Sequence, residues 1–186
     1  MYRVSRPLLG YLDAEGLAQI ERAERFVHEA HQGQVRAEGV PYTTHLIAVA
    51  ELAAFWGCDV ETIMAALLHD VVEDTPVTLQ EVSQEFGETV AKLVDGATKV
   101  ESPDRILADE QTRQKILAYT QQDSRVAYVK LADRVHNLST ISFLSEERRQ
   151  RIVKESVDFY VPLAASLGDE AVISALDEVL VTLNSR

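Results

Sequence analysis

The sequence predicts a single all-α domain covering residues 1–186. Three observations carry that expectation. Apolar residues recur at three- and four-residue spacing along most of the chain, no stretch has the alternating pattern of a strand, and helix-capping signals punctuate the apolar runs. The length suits one domain with a sizeable core.

Taken in order, residues 17–30 place Leu17, Ile20, Ala23, Val27 and Ala30 on one helical face. QVRAEGVPYTT follows as the main irregular segment. Residues 45–56 repeat the helical pattern with Ala48, Val49, Leu52, Ala53 and Trp56. Asp59 is placed to cap a helix reaching about residue 72, apolar almost all round and therefore central. Thr78 and Glu81 form a capping box, and Gly87 suits the end of that helix. A short helix over residues 88–95 is closed by Gly96. Beyond an SPD loop at 102–104, residues 105–120 and 125–141 form two more helices. Ser145 caps SEERRQRIVKESVDFY, and residues 169–183 make the last helix. The chain carries no internal repeat, low-complexity tract or linker.

Composition narrows the function. No apolar run reaches the ~20 residues a membrane span needs, and the N-terminus lacks the long apolar stretch of a secretory signal. The single cysteine, Cys58, excludes an internal disulfide framework and points to a reducing cytoplasm; it reads as a buried small apolar side chain. The net charge of −12 argues against nucleic acid or an anionic membrane as partner, since both need a basic surface. A small anionic substrate stays open to the chain if a metal or a local basic cluster receives it.

Ionisable residues on apolar faces mark the candidate site. In LLHDVVEDT, His69 and Asp70 fall on the most apolar helix, and Asp70 shares a face with Ile63 and Leu67. A buried carboxylate is costly unless it is paired, hydrogen-bonded or metal-bound. In VAYVKLADRVHNLSTI, Asp133 lies four residues after Val129, and Asn137 and Thr140 continue its line, like the wall of a polar pocket. His45 points with Val49 and Leu52 toward the core. Singly, each of these suits an interhelical hydrogen-bond network. Together, two imidazoles and two carboxylates suit a divalent cation that prefers nitrogen and oxygen ligands, such as Mn²⁺, Fe²⁺, Co²⁺ or Zn²⁺. Such an ion turns a coordinated water into a nucleophile near neutral pH.

This pattern, H…HD…D on a helical domain, resembles the ligand signature of the HD phosphohydrolase superfamily. AHQGQVRAEGVPYTTH, AALLHDVVEDT, FGETVAKLVDGATK, YVKLADRVHNLST and YVPLAASLG, in that order, closely resemble the hydrolase domain of the RelA/SpoT family from about residue 20 to 168. The resemblance implies a stand-alone small alarmone hydrolase. It would cleave the nucleotide (p)ppGpp at the 3′ position to pyrophosphate and GDP or GTP, with Mn²⁺ as the usual cofactor. By that resemblance His45, His69, Asp70 and Asp133 match the metal ligands. Glu73 and Asp74 match the acidic pair that handles the catalytic water, Glu73 favoured for the proton and Asp74 for orienting the water. Their spacing agrees, since each lies four residues after a ligand. Arg36 matches an arginine lining the nucleoside site, and Tyr42 the aromatic beside the first ligand histidine. Asn137 and Thr140 match residues near ribose and phosphates, and Tyr160 a tyrosine near the nucleotide. Lys99, Lys130 and Arg134 are basic residues within the matched motifs that could offset substrate charge.

The chain departs from the family pattern in three places. Ala37 follows Arg36 where a lysine is common, Leu46 replaces a common proline, and Ala165-Ser166 replaces a frequent His-Arg. The first bears on base choice and opens the adenosine analogue (p)ppApp as a substrate. NADPH or another nucleotide is the alternative within the superfamily, and an alarmone-binding module without turnover is the alternative outside enzymes.

Overall fold

A computed structural model describes residues 2–184, and among them the regular structure is helical, with one isolated antiparallel pairing of Val35 and Pro41. The α-helices run α1 (Ala14–Ala30), α2 (Thr43–Phe55), α3 (Val60–Leu68), α4 (Val71–Asp74), α5 (Leu79–Phe86), α6 (Glu88–Ala97), α7 (Arg105–Gln122), α8 (Arg125–Ser139), α9 (Glu146–Glu155), α10 (Val161–Leu167) and α11 (Glu170–Asn184). The all-α expectation therefore holds.

Local chemistry explains the helix starts. The Asp13 carboxylate accepts from the Gly16 backbone at 2.8 Å, so α1 begins three residues before its apolar periodicity does. Asp59 caps α3 in the same way, accepting from the Thr62 backbone at 2.8 Å and its hydroxyl at 2.6 Å. The capping box of Thr78 and Glu81 is present at α5.

α3 is central and packs against α1, α2, α6 and α8. Its residues Thr62–Leu68 are all buried. Each fully buried leucine or isoleucine among them contributes about 1.5–3 kcal/mol. A second apolar cluster joins α8 to the π turn at Ser156–Tyr160, α10 and α11 through Leu131, Leu138, Tyr160, Leu163, Val172 and Leu176. Helix α8 serves both clusters, giving Val129 and Ala132 to the first and Leu131, Val135 and Leu138 to the second. Its third face carries Asp133 and Asn137.

The structure departs from the sequence reading at several joints. α3 stops at Leu68 rather than near 72. The His69 ring takes the Ala66 carbonyl at 2.8 Å, competing with the backbone for that acceptor, and His69 and Asp70 form a turn before the single-turn α4. Gly96 does not close α6; it lies inside the helix, where a Cβ would meet ring atoms of Tyr119 at 2.6 and 2.9 Å and Val126 Cγ2 at 2.9 Å. Ser145 holds the capping position of α9, but its hydroxyl makes no cap bond. The helix read through residue 160 ends at Glu155 and widens into a π turn at Ser156–Tyr160, where the Ser156 hydroxyl donates to the Ile152 carbonyl at 2.7 Å. α8 ends at Ser139 and is followed by a 3₁₀ turn, Ile141–Phe143. A further 3₁₀ turn, Arg6–Leu9, was not read from the sequence; it starts around Pro7 and buries Leu9.

The irregular segment before α2 folds back on itself. The Arg36 backbone donates to Val40 at 2.9 Å, Gly39 to Arg36 at 2.9 Å, and Tyr42 to Gln34 at 3.0 Å. Gly39 sits at φ +79°, the left-handed region that such a turn requires and that glycine adopts freely. This loop aims Tyr42 at the α3–α4 junction and Arg36 at the C-terminal end of α8.

Candidate metal centre and nucleotide cleft

Each imidazole is delivered by the N- or C-terminal end of a buried helix. His45 lies in the first turn of α2, and His69 and Asp70 form the turn that ends α3. Asp133 comes from the middle of α8. The ligand atoms of His45, His69 and Asp70 lie within 4.8 Å of one another. Asp70 Oδ2 is 3.1 Å from His69 Nε2 and 3.5 Å from His45 Nε2. Asp133 Oδ1 adds a second carboxylate, 3.3 Å from His45 Nε2 and 3.6 Å from His69 Nε2.

These residues fit a divalent cation. His69 Nδ1 is held by the Ala66 carbonyl, while its Nε2 is buried without a hydrogen-bond partner and faces both carboxylates. A cation at that point would satisfy the orphaned nitrogen and the paired negative charges together. The electrostatics of the site run the same way. Burial opposes a charge on His69, yet Asp70 and Asp133 raise its pKa to about 10. Burial likewise opposes the charge on Asp70 and Asp133. The His69 charge at Asp70, and the Lys130 ammonium with His69 at Asp133, nevertheless hold the two carboxyls well below the usual range.

A ring of hydrogen bonds fixes the carboxylates. The Tyr42 hydroxyl bridges Asp70 Oδ2 at 2.7 Å and Asp74 Oδ2 at 2.8 Å, and the Tyr42 ring stacks on buried His31. Asn137 Nδ2 donates to Asp133 Oδ1 at 2.6 Å. Glu73 turns toward Lys99, accepting from its backbone at 2.6 Å and its Nζ at 2.8 Å. Burial works against the Lys99 charge, but Glu73 and Asp70 push its pKa upward.

Above this floor opens a cleft of about 780 Å³. The eight residues read from the sequence as substrate contacts, Arg36, Tyr42, Lys99, Lys130, Arg134, Asn137, Thr140 and Tyr160, all line it, as do His45, Asp70 and Asp133. His69 is sealed beneath the floor, and Glu73 and Asp74 flank it without lining the cleft. Arg36 reaches from its loop to Asn137 Oδ1 at 3.1 Å and Thr140 Oγ1 at 3.3 Å. The Arg134 guanidinium lies 4.0 Å over the Tyr160 ring and donates to Glu155 at 3.0 Å. Lys130 is fully buried and donates to Asp133 at 3.4 Å.

Sequence reading missed four arginines on the cleft wall, Arg105, Arg113, Arg148 and Arg151. For two of them a signal existed: Arg148 and Arg151 stand three apart on α9, on one helical face with Glu155. It also missed His136, whose Nδ1 is 2.8 Å from His45 Nδ1. Burial, His45 and Arg36 bring the His136 pKa down to about 4.

Comparison with known proteins places this geometry in a lineage. The HD domain family model matches residues 23–169. The chain is 41% identical over 172 residues to the bifunctional (p)ppGpp synthase/hydrolase SpoT of Escherichia coli K12, a match covering 91% of this chain and 24% of that protein. It is 44% identical over 155 residues to the guanosine-3′,5′-bis(diphosphate) 3′-pyrophosphohydrolase of Haemophilus influenzae, covering 81% of this chain and 23% of the other. The chain thus spans about a quarter of the length of the curated relatives it matches. Among solved structures, a metazoan ortholog of SpoT, described as hydrolysing ppGpp and acting in starvation responses, superposes with a TM-score of 0.77 at 26% identity, covering 92% of this chain and 97% of that one. A family match across most of the chain, with two imidazoles and two carboxylates converging where α3 ends, makes this protein a member of the HD domain family.

Proposed function

We propose that the protein is a metal-dependent hydrolase that removes pyrophosphate from the 3′ position of guanosine 3′,5′-bis(diphosphate) and its pentaphosphate analogue. The observation that carries this reading is the His45–His69–Asp70 cluster, with Asp133 beside it, at the floor of a cleft walled by arginine and lysine. The names of the curated relatives and of the structural neighbour support the same substrate.

His45, His69, Asp70 and Asp133 hold the ion, which we take to be Mn²⁺. Bound there, it supplies Lewis-acid stabilisation and lowers the pKa of water. Water attacks the phosphorus attached to O3′, the O3′–P bond breaks, and pyrophosphate departs while O3′ takes up a proton. Glu73 and Asp74 handle the water's proton and orientation, with Tyr42 holding Asp74 against Asp70. Arg36 stacks on or alongside the base, Asn137 and Thr140 face the ribose and phosphates, and Tyr160 with Arg134 closes the nucleotide side. Lys99 and Lys130 balance phosphate charge.

Ala37 favours a second reading of the base. It lines the cleft with a methyl group where the family pattern that the sequence resembles commonly has a lysine, which leaves room for an adenosine alarmone in the same chemistry.

Purified protein with Mn²⁺ is to be given ppGpp, ppApp, NADPH and deoxynucleoside triphosphates in turn, and the products separated by anion exchange. The expected products are pyrophosphate with GDP or ADP. Turnover of neither 3′-pyrophosphate would overturn the proposal, and tight binding without turnover would make the protein an alarmone-binding module. His69→Ala is expected to lose bound metal and activity together; full activity in that variant would remove His69 from the ligand set.

A further inference from the structure

The two imidazoles of the metal site are oriented by different partners. His69 Nδ1 faces the Ala66 carbonyl at 2.8 Å. A carbonyl only accepts, so Nδ1 carries a proton, and Nε2 faces the carboxylates, where a bound cation would take the place of its proton. His45 presents Nε2 to the same carboxylates, yet its Nδ1 meets no carbonyl. It meets another imidazole nitrogen, His136 Nδ1, at 2.8 Å, with the ring centroids 4.9 Å apart.

Two ring nitrogens at that distance share one proton, and its owner decides what His45 can do. With the proton on His45 Nδ1, its Nε2 carries a lone pair and can bind a cation. With the proton on His136 Nδ1, a neutral His45 carries its own proton on Nε2 and points an N–H at the ion's position. We infer that His136 is a positioning residue: its bare Nδ1 accepts from His45 and holds the tautomer and ring orientation in which His45 Nε2 faces Asp70 and Asp133. The inference rests on the reading of His45 as a metal ligand.

His136 acts through His45. It does not line the nucleotide cleft; it lines a separate hollow of about 380 Å³ bounded by Leu8, Leu52 and Phe55. Its backbone is fixed by the end of α8, where its carbonyl accepts from the Ser139 hydroxyl at 2.7 Å and the Thr140 backbone at 3.2 Å. The same helix carries Asp133 three residues earlier, so one element supplies both a carboxylate ligand and the group that orients the imidazole opposite it.

Two variants and one spectroscopic measurement test this. His136→Phe keeps the ring but removes the acceptor. His136→Asn puts an amide oxygen close to where Nδ1 stood and restores it. Mn²⁺ affinity is measured by competition with a chelator at neutral pH, on protein whose fold is checked by circular dichroism. His136→Phe is expected to bind Mn²⁺ roughly 10- to 100-fold more weakly, and His136→Asn to recover to within a few-fold of wild type. Wild-type affinity in His136→Phe, or equal weakness in both folded variants, would overturn the inference. ¹⁵N spectra of the histidine rings in metal-free wild-type protein settle the matter even if His136→Phe fails to fold. A proton on His45 Nδ1 with a bare His136 Nδ1 supports the assignment, and the reverse refutes it. Wild-type protein that takes up no divalent cation would instead count against the metal-site reading, whatever the ring spectra show.

Discussion

Glu73 shows how much a single side chain's partners matter. Both its oxygens are held by Lys99, one by the backbone and one by Nζ, while its neighbour Asp74 is tied through Tyr42 to Asp70. A carboxylate fixed that firmly is a preorganised acceptor beside the proposed water. Glu73→Gln keeps the shape but removes the base. It is expected to retain Mn²⁺ binding and the fold, to lose some thermal stability because the amide nitrogen cannot accept from Lys99, and to lose roughly 10²–10⁴-fold in turnover; kcat at saturating metal reads this directly, and an undiminished kcat would release Glu73 from the proton role. The residues legible in the sequence were polar groups breaking an apolar face, as at His45, His69, Asp70 and Asp133. His136 was not, because its partner is 91 positions away and a histidine near a helix end carries no local mark of that contact. Cys58, expected to be a buried apolar side chain, is half-buried, and burial with Asp59 and Asp169 nearby raises its thiol to about 12.

Among the helices, the instructive errors fall at joints rather than in helix interiors. Periodicity continues through His69 and Asp70, so it cannot register that a side chain has taken the Ala66 carbonyl and ended the helix there. Nor can a π turn at Ser156–Tyr160 be read from 3.6-residue spacing, since it shifts the phase only within that turn. Gly96 is the clearest case. A glycine near a helix end reads as a stop, but here it is the surface on which α7 and α8 close against α6. Tyr119, whose hydroxyl donates to Asp95, and Val126 occupy the space a Cβ would need. Gly96→Ala would gain about 1 kcal/mol of helix propensity, while overpacking of this kind costs about 1–3 kcal/mol. The net expectation is a lower urea midpoint with an unchanged m-value; a raised midpoint would mean that the Tyr119 ring moves aside freely.

For the molecule as a whole, charge distribution says what net charge hides. Eight of the 18 lysines and arginines line one cleft, against five of the 30 aspartates and glutamates, in a chain of net charge −12. The composition alone pointed away from large polyanions and left room for a small anion; the fold supplies the local reversal of sign that such a ligand needs. The side chains of Arg105, Arg148 and Arg151 line this wall and make no hydrogen bond or ion pair among the described residues. Replacing Arg148 and Arg151 together by alanine is expected to raise KM roughly 10-fold, about 1.4 kcal/mol, and to leave kcat within about twofold. The KM of the double variant should also respond less to added salt, because exposed charges are screened. Steady-state kinetics at two ionic strengths checks both, and a fall in kcat with KM unchanged would place these arginines elsewhere in the cycle.

Helix α8, wedged between both apolar clusters, has a consequence for the size of ligand the cleft accepts. Lys130, Asp133, Arg134 and Asn137 are marks on one rigid rod, with Thr140 at its C-terminal cap, rather than on separate loops. At about 1.5 Å per residue the rod runs about 15 Å from Lys130 to Thr140. Because packing on two sides prevents it from bending, the distances between those marks do not adapt to what enters. The cleft thereby measures its ligand lengthwise, as a fixed gauge, with Asp133, the carboxylate of the proposed metal site, set near one end of the scale.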